Sequence, residues 1–195
     1  MVYYLSNHIK QSLMKNTLIN KSGLLIIDSQ EKIINPIRDK DQIITNIKLM
    51  LNAYQILGEN IYLSEQSPQK LGKTIPELLP TKKFKLFEKV EFSLGFNSQF
   101  KNELNNKNIK NLIVCGFETH ICVQQTVLDL ISRNIEVYIV VDAMGSRNDI
   151  DHQIGLKRML SKGAIISTSE SIIFELCETS SRDEFKAISN IIKNK

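Results

Sequence analysis

The chain alternates between short unbroken apolar runs and longer stretches in which apolar residues recur every three or four positions. Ser22 to Asp28 reads Ser-Gly-Leu-Leu-Ile-Ile-Asp, an aliphatic run that predicts a strand buried on both faces, as in a parallel sheet covered by helices. After a loop containing Pro36, the residues Ile43, Ile44, Ile47, Met50, Leu51, Tyr54 and Leu57 fall at helical spacing from Asp41, and Gly58 supplies the stop. Ile61 to Leu63 is a second short strand. Leu71 to Pro80 reads as a loop, Lys85 to Phe87 as a third strand and Phe96 to Leu104 as a helix. In Asn111 to Asn134 an apolar run, Leu112 to Val114, breaks at Gly116; a polar turn follows, then a helical stripe of Val123, Val127, Leu128 and Ile131. Glu136 to Val141 is a strand ending on Asp142, and Asp149 to Ser161 a helix closed by Gly163. Ala164 to Ser167 makes a last strand, with closing helices over Ser169 to Leu176 and Asp183 to Ile192.

Strands alternating with helices specify an α/β sandwich around a mostly parallel sheet, with right-handed crossovers that put helices on both faces. Ligands of such sheets bind beyond the carboxyl ends of the strands. Asp28 stands at the end of the first strand, Lys89 just past the end of the third and Cys122 past the fourth. Residues distant in sequence are thus expected to converge on one rim.

Composition narrows the class. A chain of 195 residues fits one domain, expected over 21–195 behind an N-terminal extension of 1–20. The net charge of +4 is mild, and the lysines are scattered apart from Lys82, Lys83 and Lys85, so no basic, aromatic stripe suggests nucleic acid. No apolar run approaches the roughly 20 residues of a membrane span. Tyr3, Tyr4, Asn7 and His8 stand where a signal peptide needs an apolar core. Three cysteines without a C-x-x-C pair argue against a disulfide framework and for reduced thiols in the cytoplasm.

Of those cysteines, Cys122 sits at the mouth of a helix, where free N–H groups and the helix dipole favour a thiolate; a depressed pKa and nucleophilic character are expected. Cys115 and Cys177 read as core. His120, two residues from Cys122, need not face it across the turn and is expected to face solvent or a neighbouring subunit, with the cleft as the alternative. A cysteine–histidine dyad is a poor fit. Asp28 and Lys89 offer a different solution, the carboxylate taking the thiol proton and the ammonium stabilising the thiolate. No glycine-rich phosphate loop is present, and no cofactor is expected.

Asp28 after Leu-Leu-Ile-Ile, Lys89 in Lys-Val-Glu-Phe-Ser and Cys122 in Gly-Phe-Glu-Thr-His-Ile-Cys-Val resemble the Asp-Lys-Cys triad of the isochorismatase-like cysteine hydrolases, which include nicotinamidases and N-carbamoylsarcosine amidohydrolase. Glu65 to Pro68, Leu71 to Leu78, Asp142 to Arg147 and Ser167 to Glu170 are similar to the isochorismatase domain-containing proteins and related bacterial hydrolases. The resemblance implies a six-stranded Rossmann-like sheet in the order 3-2-1-4-5-6 and a cis peptide before Glu118. It also implies an oxyanion hole from the N–H groups of Glu118 and Cys122, a small-molecule amide substrate, and a homo-oligomer such as a dimer or tetramer. Gln66, Phe92 and Thr119 are the expected substrate-binding residues; Asp142, Arg147 and His152 are expected to order the loop behind the site. Nicotinamidases carry an Asp-x-His metal motif after the second strand, but here Leu-Ser-Glu-Gln-Ser-Pro stands in its place, so no metal is expected. A catalytically idle scaffold and a degenerate nicotinamidase remain as alternatives.

Overall fold

Apolar residues on both sides of β1 (Ser22–Ile27) create the core, and every residue of that strand is buried. Leu24 and Ile26 pack on one face of the sheet and Leu25 and Ile27 on the other, as the two-residue repeat of a strand requires. β4 (Asn111–Phe117) does the same, sending Ile113, Cys115 and Phe117 to the first face and Leu112 and Val114 to the second. In this computed structural model residues 22–195 are described; the expected extension over 1–20 lies outside them.

β1 and β4 form the centre of a six-stranded, all-parallel sheet in the order β3-β2-β1-β4-β5-β6. The other strands are β2 (Asn60–Gln66), β3 (Lys85–Lys89), β5 (Glu136–Gly145) and β6 (Ile165–Ser167). Short helices α1 (Glu31–Ile34) and α3 (Pro68–Leu71) flank the carboxyl rim. The longer helices are α2 (Lys40–Leu57), α4 (Ser98–Asn106), α5 (Gln124–Ser132), α6 (Asp149–Ser161), α7 (Ser169–Cys177) and α8 (Phe185–Lys193). α2, α7 and α8 cover the first face; α4, α5 and Met159 of α6 cover the second. This is the sandwich and strand order expected.

Several boundaries differ from the sequence reading, each for an identifiable reason. β2 runs on through Ser64, Glu65 and Gln66, polar residues that stay buried because distant partners satisfy them. Lys89 is the last residue of β3, not a residue beyond it. The helix expected from Phe96 begins at Ser98, because the Asn97 side chain caps it by accepting from the Phe100 N–H. α1 occupies part of the expected loop before Asp41, and α3, with Pro68 in its first turn, ends where the expected loop from Leu71 begins. β5 extends past Val141 to Gly145.

β4 passes through Gly116, which faces Ile27 across the pair at a φ of 111°. A Cβ there would lie 2.2 Å from the Ile27 carbonyl oxygen, so only glycine lets the two strands meet at this level. That contact sets the heights at which Asp28 and the turn after Phe117 leave the sheet.

Candidate active site

Asp28 follows directly on β1 with a φ of 47°, a left-handed conformation that aspartate tolerates better than most residues. Its N–H donates to the Ser64 carbonyl at 3.1 Å, and its own carbonyl accepts from Gln30 at 2.8 Å. The carboxylate is fully buried and is met from two sides. Ser64 Oγ donates to Oδ1 at 2.6 Å and Lys89 Nζ donates to Oδ2 at 2.6 Å. Ser64 reaches it because Ile27 and Ser64 lie opposite each other in the β1–β2 register.

Lys89 arrives from the end of β3, paired with Gln66 of β2. Its ammonium also donates to Gln66 Oε1 at 2.8 Å, while Gln66 Nε2 donates to the Val90 carbonyl at 2.6 Å. Gln66 is in turn held by Gln30, which accepts from its N–H at 2.7 Å and donates to its carbonyl at 3.0 Å. The Lys89 and Asp28 side chains are only 1% and 0% exposed, so their ion pair acts in a low-dielectric interior.

The chain leaves β4 through a cis peptide between Phe117 and Glu118, as the resemblance implied, and turns over Thr119–Val123 into α5. The Glu118 carbonyl accepts from the N–H groups of Ile121 and Val123 at 3.1 and 3.2 Å, which fixes the turn. From behind, Gly155 of α6 packs on the His120 main chain at a distance that a larger residue would crowd. Cys122 is buried in this turn, where its thiol feels the charges of both the Asp28 carboxylate and the Lys89 ammonium.

The direction of the Cys122 shift is opposite to the sequence expectation. Burial, and then the Asp28 charge, push the thiol up to about 12, and Lys89 only partly offsets them. A helix mouth lowers the pKa of an accessible sulfur, and this one is largely desolvated. The resting side chain is therefore a protonated thiol beside a carboxylate, not a standing thiolate.

Above the thiol opens a cleft of about 230 Å³, below the roughly 300–1,000 Å³ of drug-sized pockets, which suits a compact ligand. Of the expected substrate-binding residues, Phe92 and Gln66 line it, though the Gln66 amide is committed to Lys89 and Val90. Thr119 does not line it: it is fully buried, with Oγ1 2.9 Å from His152 Nδ1 on α6. His120 faces Ser146 and Asp151, its Nδ1 2.9 Å from Ser146 Oγ.

Arg147, read from sequence as part of the supporting loop, lines the cleft instead and pairs with Glu118. Asp142 is structural as expected, accepting from the N–H and hydroxyl of Ser169, both at 2.7 Å. Cys115 and Cys177 are buried, and all three cysteines are free. Ser64, Gln30 and Lys32 were not singled out from sequence. A polar residue on a buried strand end was the available signal for Ser64.

Glu65, in the stretch that replaces the Asp-x-His metal motif, turns away from the cleft and accepts from the Thr74 N–H and hydroxyl at 2.7 and 2.8 Å. Among the described residues no three His, Cys, Asp or Glu side chains gather as a ligand set. Among them, too, no helix is long and apolar enough to cross a membrane.

Residues 22–171 match the isochorismatase domain family. The chain is 36% identical over 179 residues to isochorismatase family protein 1B of Dictyostelium discoideum, covering 89% of this chain and 87% of that protein. A solved structure described as MAR1 ribonuclease from Caenorhabditis elegans superposes with a TM-score of 0.83 at 35% identity, over 89% of this chain and 90% of that one. The YcaC gene product of Escherichia coli, described as an octameric hydrolase of unknown specificity, superposes with a TM-score of 0.78 at 21% identity, over 90% and 93% of the two chains. That last likeness carries the fold alone.

Proposed function

This chain belongs to the isochorismatase-like hydrolase family, and we propose that it is a metal-independent cysteine hydrolase that cleaves an amide or related C–N bond of a small molecule. The observation that supports this reading is the buried Asp28–Lys89 pair, Nζ 2.6 Å from Oδ2, whose charges both act on Cys122, the one of the three that lines the cleft. A buried carboxylate beside a protonated thiol is placed to act as its general base at the moment of attack.

In the proposed reaction Cys122 Sγ bonds to the substrate carbonyl carbon as its proton passes to Asp28. Lys89, held by Gln66, stabilises the charge leaving sulfur. The N–H groups of Glu118 and Cys122 receive the oxyanion. The intermediate collapses with cleavage of the C–N bond, and Asp28 returns the proton to the departing amine. Water then attacks the thioester carbonyl, giving its proton to Asp28. Expulsion of the sulfur and its reprotonation release the carboxylic acid and restore the thiol. Self-association is part of the proposal, in keeping with the exposed Ile150 and Ile154 on α6 and Phe174 on α7.

A panel of small primary and secondary amides tests this reading, with ammonia or amine release as the readout. Turnover abolished by Cys122→Ala is expected. An idle scaffold predicts no turnover with any amide, and a nicotinamidase predicts activity confined to nicotinamide. Cleavage of RNA that persists in Cys122→Ala would refer the function to the activity named for the C. elegans neighbour.

A further inference from the structure

The charges around the cleft go beyond what thiol chemistry requires. Its lining contains Lys32, Arg147 and Glu118 among otherwise mostly apolar side chains such as Ile33, Phe92 and Ile121. Beneath them the Asp28–Lys89 pair is neutral in sum, and the raised thiol is uncharged at rest. Two cations therefore face one carboxylate at the mouth.

The use of that carboxylate is specific. Glu118 Oε1 accepts from the Arg147 main-chain N–H at 3.2 Å and from Arg147 Nε at 2.7 Å. Glu118 is nearly buried, so this grip fixes the guanidinium by its inner edge. No hydrogen bond or ion pair among the described residues engages the two terminal nitrogens, Nη1 and Nη2. With its side chain 53% exposed, Arg147 presents those two nitrogens as the planar fork that matches a carboxylate. Lys32 Nζ donates to the Lys70 carbonyl at 2.7 Å, a neutral partner that leaves its charge uncompensated.

We infer that the substrate is a compact amide bearing a carboxylate, which Arg147 receives at the mouth of the cleft while the amide carbonyl faces Cys122, with Lys32 adding to the local positive potential. The inference rests on the reading of Cys122 as nucleophile. It makes Arg147 a specificity residue, whereas a purely structural Arg147 would do no more than brace the turn through Glu118.

The test compares the monoamides of malonic, succinic and glutaric acids with the corresponding diamides, in which a neutral carboxamide replaces the carboxylate. At least one monoamide is expected to exceed its diamide in kcat/KM by roughly ten- to hundredfold, the worth of a charge-assisted contact. Arg147→Gln is expected to erase that preference by raising KM for the monoamide, so that kcat/KM falls at least roughly tenfold more for the monoamide than for the diamide; Arg147→Lys recovers part of the difference. Lys32→Gln, at an exposed position, is expected to weaken the preference by a smaller factor. Equal turnover of monoamide and diamide overturns the inference, as does an equal loss on both in Arg147→Gln. Binding of malonate, succinate and glutarate, followed by calorimetry, separates this claim from the chemistry. Arg147-dependent binding without turnover of any amide upholds the anion site and sinks the acyl-transfer reading. Failure of all three to bind, with none of the monoamides preferred, overturns the anion site.

Discussion

Removing Lys89 tests the buried centre of the site most severely. In Lys89→Met the aliphatic stem is kept but Asp28 loses its cation, and only the Ser64 hydroxyl at 2.6 Å remains as a strong donor to the carboxylate. Both side chains are essentially inaccessible, so water cannot replace the lost partner. Breaking one side of such a pair costs about 3–5 kcal/mol. With about 2–4 °C per kcal/mol for a domain of this size, Tm is expected to fall by about 6–20 °C at pH 7. Acidification neutralises the stranded carboxylate, so the gap from wild type narrows as the pH is lowered. Asp28→Asn/Lys89→Met, which leaves no charge unpaired, is expected to lose less than the two single variants together. Urea unfolding of the four proteins at pH 5 and pH 7.5 measures this cycle. A Lys89→Met protein within about 1 kcal/mol of wild type at pH 7.5 would mean that the ion pair is not buried as described.

Four further expectations follow from the same geometry. Because Cys122 is pushed up to about 12, its alkylation below pH 9 should be slower than that of a free peptide thiol near 8.5, with the rate still climbing above pH 9; a plateau near pH 7 contradicts this. The linked stability is fully present below about pH 8.5 and lost as pH rises toward 12, since the unfolded chain releases that proton first, and Cys122→Ala should flatten this alkaline decline. Gly116→Ala puts a Cβ 2.2 Å from the Ile27 oxygen and should cost about 4 kcal/mol or more, or abolish folding, as read by urea unfolding. Ser64→Ala removes a donor to Asp28 from outside the cleft, so the rate of Cys122 acylation should fall about tenfold while KM stays close to wild type.

The centre of the fold was legible because β1 and β4 are apolar on both faces, a pattern that only a covered parallel sheet explains. The carboxyl rim was harder to read. Ser64, Glu65 and Gln66 look like loop residues in sequence, yet they complete β2 because Asp28, Thr74, Gln30 and Lys89 satisfy them from distant positions. The same concealment hid Ser64 as a support for Asp28 and put Lys89 outside its strand. Arg147 braces the turn through Glu118 as expected, beside which the β4–β5 register places it, but its sequence position after β5 says nothing of its place in the cleft lining. For Cys122 the position was readable and the acidity was not: a helix mouth is a local feature, and desolvation is set by the whole fold around it. Asp28, Lys89 and Cys122 were found together because each stands at the carboxyl end of a parallel strand, the one place where such a sheet gathers distant residues.

The claim on which the rest depends is that Cys122 carries the acyl group of the substrate, with Asp28 taking its proton. Rapid acid quenching of the protein with an activated acyl amide, followed by intact mass and peptide mapping, reads that intermediate directly. One acyl group per chain on Cys122, absent from Cys122→Ala and strongly delayed in Asp28→Asn, is the predicted result. Steady turnover with no mass added, undiminished in Cys122→Ala, would contradict it.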